Sequence, residues 1–345
     1  PTLPDAGTAI ARRAANVRPD DLICLASLRR EWCKSSNHFS LIFLLQDSAS
    51  SRTIVFPGNP LTPMHPAPTH SPQIMMKSAI TLAQVAEAKA GPFVFHQPLP
   101  ESFSKAADLG FDAVELFLPG PDFIDPEIVN SMASDHELSI AAVGTGAGMV
   151  KHGLSLTDAD PDKRSRALEF VISMIDFGGK VGAPAILGSM QGKWGGDLSQ
   201  EQSRAWLTEA LHATDARAAE NGVEFIYEPL NRYETNQFNH LSTAAAYLDE
   251  HALNHTVLLA DLFHMNIEEA NAGQAIRDAG SRVGHVHFAD SNRQAVGFGH
   301  TEMASILSAL EEIEYDGYLS AEIFPLPSPE AAAEQTIKSF RALTS

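Results

Sequence analysis

Eight short β-rich runs, each followed by a longer stretch of helical period, predict an α/β protein of the (β/α)8 (TIM) barrel class, a single domain behind an N-terminal extension. Two observations favour the closed barrel over an open, doubly wound sheet. The eight repeats fit within about 260 residues, the usual size of such a barrel. No G-x-G-x-x-G phosphate loop follows the first run. The predicted strands are 91–97 (GPFVFHQ), 112–118 (DAVELFL), 138–146 (LSIAAVGTG), 183–190 (APAILGSM), 223–229 (VEFIYEP), 256–264 (TVLLADLFH), 282–290 (RVGHVHFAD) and 317–325 (GYLSAEIFP). Between them, 160–182 opens on Asp-Pro and closes on glycine, and 199–222 opens on serine and closes on Asn-Gly. Those residue types start and stop helices, because their side chains or backbone freedom satisfy the unpaired terminal groups.

Of the 345 residues, 44% are hydrophobic and 19% charged, enough apolar material for a sizeable core. A net charge of −19 argues against nucleic acid or an anionic membrane surface as partner, since both reward cationic patches. Cys24 and Cys33 are the two cysteines, too few for a disulfide framework or a zinc site built from thiolates. LIFLLQ (41–46) falls far short of the ~18 apolar residues that span a bilayer. A cytoplasmic protein is expected. Residues 1–74 carry seven basic against five acidic side chains, so the negative charge belongs to the remainder. Residues 57–73 are rich in proline and read as a linker, and Met75 or Met76 reads as a translation start. Residues 1–74 are therefore expected to be a disordered or misassigned extension without a role in the chemistry, and 75–345 the barrel.

A barrel builds its active site from the C-terminal ends of its strands and the loops after them. The last four predicted strands end in Glu228, Asp261, His287 and Glu322, each after an apolar run that has no structural use for it. One acidic residue at a strand end is usually solvated or caps the next helix; four polar residues in succession on adjacent strands point to a shared task. Three carboxylates and an imidazole converging in one mouth repel each other unless a cation joins them. Carboxylate oxygens with one nitrogen suit Mn2+, Mg2+ or Co2+. Around this set, His285 shares a strand face with His287 and reads as its neighbour in the barrel interior. Glu115 stays outside the candidate set, His96 reads as a core histidine, and His300 either lines the pocket or caps a helix. Trp194, flanked by glycines, reads as a mobile lid or a sugar-stacking platform.

The motifs YEPLNRYETN (227–236), ADLFHMNIEE (260–269), GHVHFADSNR (284–293) and YLSAEIFP (318–325), with the steps from 228 to 261, 287 and 322, resemble the D-tagatose 3-epimerase family. That family lies within the xylose isomerase-like sugar isomerase and epimerase barrels. The resemblance covers about 85–345 as an architecture, is most specific over 226–325, and has no counterpart for the first 74 residues. It implies that Glu228, Asp261, His287 and Glu322 bind one divalent ion, Mn2+ foremost. It implies that Glu234, His264 and Arg293 hold the oxygens of a sugar substrate, and that the chain assembles as a dimer or tetramer. The implied reaction is epimerisation of a ketose at C3, with Glu228 and Glu322 as the acid and base on opposite sides of the substrate. A ketose–aldose isomerase on the same site is the nearest alternative. An endonuclease-IV-like phosphodiesterase needs more histidine ligands and a basic surface, and an inactive ligand-binding relative would not need both glutamates. The loops after the last two strands offer no phosphate cradle, which favours an unphosphorylated sugar.

Overall fold

The computed structural model describes residues 75–344 and, upstream, the backbone of three strands. The chain divides into two units, Pro1–Pro72 and Gln73–Ser345. In the first, β1 (Arg30–Ser35), β2 (His38–Asp47) and β3 (Ser50–Val55) pair antiparallel in sequence order. The expectation of disorder or a misassigned start concerns residues that otherwise lie outside those described.

The second unit is the expected barrel. Its strands are β4 (Lys77–Ala83), β5 (Ala113–Phe117), β6 (Ser139–Gly144), β7 (Ala185–Leu187), β8 (Phe225–Tyr227), β9 (Thr256–Asp261), β10 (Val283–His287) and β11 (Tyr318–Ala321). All neighbours are parallel, and β11 pairs with β4 to close the ring. Seven strands lie inside the predicted runs; the residues left over at the C-terminal ends of the runs are the loops that build the site.

The first strand is a correction. It is Lys77–Ala83, and the predicted run 91–97 is a loop that touches β4 through one bridge, Leu82 to Phe95. Phe95 accepts from the Ala83 N–H at 2.9 Å. The two segments exchange the usual signals of their roles. KSAITLA carries small residues where the narrow barrel interior demands them, which lowers its apparent strand character. Phe93 and Phe95 are apolar because they are buried, Phe95 in the main core and Phe93 stacking on Phe117 with ring centroids 4.6 Å apart.

The two helices with the clearest boundary signals form as expected. Helix Pro161–Val181 is capped by the Asp160 carboxylate, which accepts from Asp162 N–H, and stops at Gly182 with φ +69°. Helix Gln200–Asn221 is capped by Ser199 and stops at Gly222 with φ +66°. Left-handed backbone is nearly free for glycine and costly for other residues, so these stops are sharp.

Side chains alternate across each strand. Outward residues such as Val114, Leu116, Val143, Leu258, Val286 and Leu319 join the main core beneath the helices. Inward residues Ala142, Ile186, Ile226, Val257 and Leu259 form a separate cluster that fills the barrel axis. Above that plug the inward positions turn polar, and there the site begins. No helix among the described residues is long and apolar enough to cross a membrane.

Gly284 in β10 lacks room for a side chain, because an added Cβ would collide with Val257 in the interior cluster. Gly284→Ala is expected to destabilise the barrel by about 1–3 kcal/mol through overpacking. A lower urea midpoint with an unchanged slope checks this.

Candidate active site

The four strand-end residues converge around one imidazole nitrogen. Nδ1 of His287 lies 3.3 Å from Asp261 Oδ2, 3.7 Å from Glu228 Oε1 and 3.7 Å from Glu322 Oε2. His287 and Asp261 are the last residues of β10 and β9, while Glu228 and Glu322 directly follow β8 and β11. Each strand therefore delivers its side chain as it leaves the sheet, where a carboxylate no longer displaces core. Asp261 serves two functions with its two oxygens. Oδ1 caps the helix Leu262–Glu268 by accepting from Phe263 N–H at 2.8 Å, and Oδ2 faces the cluster.

The other three sequence candidates surround this centre. Nε2 of His264 is 3.6 Å from both Glu228 and Asp261. Its Nδ1 receives the Asn231 side-chain amide at 2.7 Å, and the same amide donates to Glu234 Oε1 at 2.8 Å. With Nδ1 accepting, Nε2 carries the hydrogen and aims it into the site. The Arg293 guanidinium is hydrogen-bonded to Glu322 and stands 3.5 Å from Asp261 Oδ2 and 3.9 Å from Glu234. All seven sequence candidates thus meet in one place. All but Asp261 line a cavity of about 330 Å3, a size found at small-molecule sites.

Burying this much charge disturbs its ionisation. Burial pushes the Glu228 carboxyl well above the usual carboxylate range; Glu322 and Asp261 push it further, and His287 and Arg293 pull against them. Asp261 is also opposed by burial, yet His264, Arg293 and His287 hold it low. Burial disfavours charge on His287, but Glu115 and Glu322 outweigh it and raise its proton affinity. His264 is held below the ordinary histidine value, chiefly by burial.

The donor set fits a divalent cation. Ligand atoms of Glu228, Asp261 and His287 all lie within 4.8 Å of one another, and the group Glu115, His285 and His287 meets the same condition. Glu228 Oε1 and His264 Nε2 are buried without a hydrogen-bond partner. Such orphaned atoms are costly unless something else binds them.

Two contributing residues, Gln191 and Gly188, carry no sequence signal that pattern reading detects, and Glu115 is not among the sequence candidates. Gln191 is fully buried; its side-chain amide donates to the Glu228 carbonyl at 2.9 Å and to the Gly188 carbonyl at 3.0 Å. Gly188 leaves space for Glu228, since an added Cβ would sit 2.5 Å from Oε2. Glu115 lies at the middle of β5 rather than at its end, and it contacts both His285 and His287. His285 is buried beside His287, as expected.

Other side readings resolve differently. Trp194 donates its indole N–H to the Asn236 carbonyl at 2.9 Å and does not line the cavity. His300 is exposed and outside the cavity lining, and Glu302 caps the following helix. His96 belongs to the loop after β4.

Arg293 owes its position to Asp290, not through an ion pair but through the backbone. The Asp290 carboxylate accepts from the N–H groups of Ser291, Gly297, Gly299 and Thr301 at 2.7–2.9 Å. This folds the loop after β10 around one anion. Arg293 takes a left-handed backbone with φ +57°, rare outside glycine, and its own N–H donates to the Asp290 carbonyl at 2.8 Å. Burial opposes ionisation of Asp290, but the N–H donors outweigh it and hold the carboxyl down at about 2. Because it ionises more readily folded than unfolded, its stabilisation is complete above about pH 4. That stabilisation is lost as pH falls through about 2. Asp290→Asn is expected to be less stable than wild type at neutral pH. Acid-unfolding curves should show the gap between the two closing from about pH 4 to 2.

A family model for xylose isomerase-like TIM barrels matches residues 103–343. L-ribulose 3-epimerase of Methylomonas sp. (strain DH-1) is 30% identical over 247 residues, 70% of this chain and 84% of that protein. D-psicose 3-epimerase of Ruminiclostridium cellulolyticum is 33% identical over 230 residues, 64% of this chain and 76% of its own. The crystal structure of D-allulose 3-epimerase from Methylomonas sp. in complex with D-allulose superposes with a TM-score of 0.66 at 24% identity. It covers 78% of this chain and 97% of that one, a likeness of fold. With the barrel, the converging strand ends and these relatives in hand, the chain belongs to the xylose isomerase-like TIM barrel family and, within it, to the epimerases of the isomerase class.

Proposed function

We propose that this protein is a divalent-metal-dependent ketose 3-epimerase acting on an unphosphorylated sugar. The observation that carries the reading is the convergence of Glu228, Asp261 and Glu322 on His287 Nδ1 at the floor of the cavity. The similarity to L-ribulose and D-psicose 3-epimerases supports the reaction type. Glu228, Asp261, His287 and Glu322 would hold the ion, Mn2+ foremost and Mg2+ or Co2+ as substitutes. A bound divalent ion supplies Lewis acidity, which lowers the cost of removing a proton next to a carbonyl.

The protein's own groups do the rest. Glu228 and Glu322 leave β8 and β11, strands on different sides of the ring, so one can take the C3 proton from one face while the other returns it to the opposite face. Their roles exchange in the reverse direction. His264 offers its Nε2–H, and Arg293 its guanidinium, to the oxygens on which negative charge develops. Glu234 accepts from a sugar hydroxyl. Asn231 aligns both His264 and Glu234. Arg293 is the one lysine or arginine in the cavity lining, against Glu87, Glu115, Glu228, Glu234 and Glu322. Such a cavity disfavours a phosphorylated sugar. The reading also takes 75–345 as the catalytic unit and the protein as a cytoplasmic dimer or tetramer, whose size light scattering checks.

Three outcomes are expected. First, a panel of ketoses turned over with added Mn2+ in deuterated water should acquire label at C3; label at C1 or C2 instead would establish ketose–aldose isomerisation. Glu228→Gln and Glu322→Gln should each lower kcat by at least ~10²-fold, and full activity in either variant refutes the two-carboxylate mechanism. Second, Glu228 and His287 hold protons tightly in the ion-free chain and must lose them to ligate. Mn2+ affinity should therefore rise with pH, still rising above about 6.5, with protons released. Calorimetry in buffers of different ionisation enthalpy measures that release. Third, a shortened chain that begins at Gln73 should keep the metal affinity and kcat of the full chain. Loss of either would assign the upstream residues a part in the chemistry.

A further inference from the structure

Behind the cluster lies a second group of buried ionisable residues that the mechanism does not use. Glu115 stands on β5 and reaches across the barrel axis to β10. Its Oε2 is 2.8 Å from Nε2 of His285, and its Oε1 is 3.3 Å from Nε2 of His287 and 3.4 Å from the Thr81 hydroxyl. Glu115, His285 and His287 are each at most 3% exposed. The two imidazoles cross edge to face with centroids 5.6 Å apart. The two nitrogens of His287 therefore meet different partners. Nδ1 hydrogen-bonds Asp261 Oδ2 at 3.3 Å and faces Glu228 and Glu322, while Nε2 is buried without a hydrogen-bond partner and has the Glu115 carboxylate 3.3 Å away.

A neutral imidazole carries one hydrogen, and the nitrogen that binds a metal must be the other one. With an ion at Nδ1 in place of the hydrogen shared with Asp261, the remaining hydrogen would sit on Nε2, where the fixed Glu115 carboxylate favours it. Glu115 has little rotational freedom, because His285 holds its second oxygen from the same strand that carries His287. We propose that Glu115, held in place by His285, is a positioning residue that keeps His287 in its Nε2–H form and so commits Nδ1 to the divalent ion. The inference rests on the metal site proposed above. It assigns Glu115 and His285 to supporting that site rather than to holding a second ion, since their hydrogen bond already occupies Glu115 Oε2 and His285 Nε2.

The test uses the full chain freed of metal with a chelator. Calorimetry with Mn2+ alone should find one ion per chain. Long-range 1H–15N spectra of the Zn2+-loaded protein should show His287, assigned by its loss in His287→Gln, with hydrogen on Nε2 and none on Nδ1. Glu115→Gln should bind Mn2+ roughly 10–100-fold more weakly, while the ion-free variant keeps a cooperative thermal transition. His285→Gln should weaken binding in the same direction. Should Glu115→Gln fail to fold, the His287 spectrum of the wild-type protein decides the matter by itself. A folded Glu115→Gln with unchanged Mn2+ affinity overturns the inference, including when only KM for the sugar rises. Hydrogen on His287 Nδ1 overturns it, as does a second Mn2+ that disappears in Glu115→Gln. A wild-type chain that binds no Mn2+ overturns the metal site beneath it, a distinct result from a failure confined to the variants.

Discussion

Three carboxylates held within 3.7 Å of one imidazole nitrogen, at the buried end of a closed barrel, set the terms for much of what surrounds them. Burial removes the water that would otherwise screen such charges, so each needs a proton, a cation or a donor nearby. The chain supplies all three. Glu228 is pushed towards its protonated form, Arg293 binds Glu322, and Asp261 receives backbone hydrogens at the start of the next helix. A divalent ion would satisfy the same demand more completely, which is the physical basis for proposing one here.

The barrel makes this concentration of charge tolerable by separating it from the core. Apolar contacts that stabilise the fold lie outside the strands, beneath the helices, and in the interior plug around Ile186, Ile226 and Leu259. The polar layer stands above the plug, where strands end and the chain is free to turn. Loop architecture then holds the site in shape. Gln191 clamps the backbone of Glu228, Asn231 links His264 to Glu234, and Asp290 gathers four backbone N–H groups to present Arg293 in a left-handed conformation. Each of these residues acts through another, and none is itself placed to react with a sugar.

Much of this was legible in order along the chain. Strand runs and helix caps are local features, decided by side-chain alternation and by hydrogen bonds within one turn. Hence the helix starts at Asp160 and Ser199 and the stops at Gly182 and Gly222 could be read directly. Glu228, Asp261, His287 and Glu322 were visible because each interrupts an apolar run at a strand end. The first strand was not. β4 places small residues on its inward face, and the apolar loop after it imitated a strand because Phe93, Val94 and Phe95 are buried.

The sequence by itself therefore determined the barrel class, the strand ends that carry charge, and the seven side chains that could share one task. Tertiary structure alone decided how those side chains face each other. Glu115 and His285 are 170 residues apart and meet only because the ring closes and brings β5 opposite β10. Arg293 could have paired with Asp290, three residues away. Instead the loop spends the Asp290 carboxylate on backbone hydrogens and turns the guanidinium to Glu322. Such contacts depend on strand register and barrel closure, global properties that no local run of residues encodes.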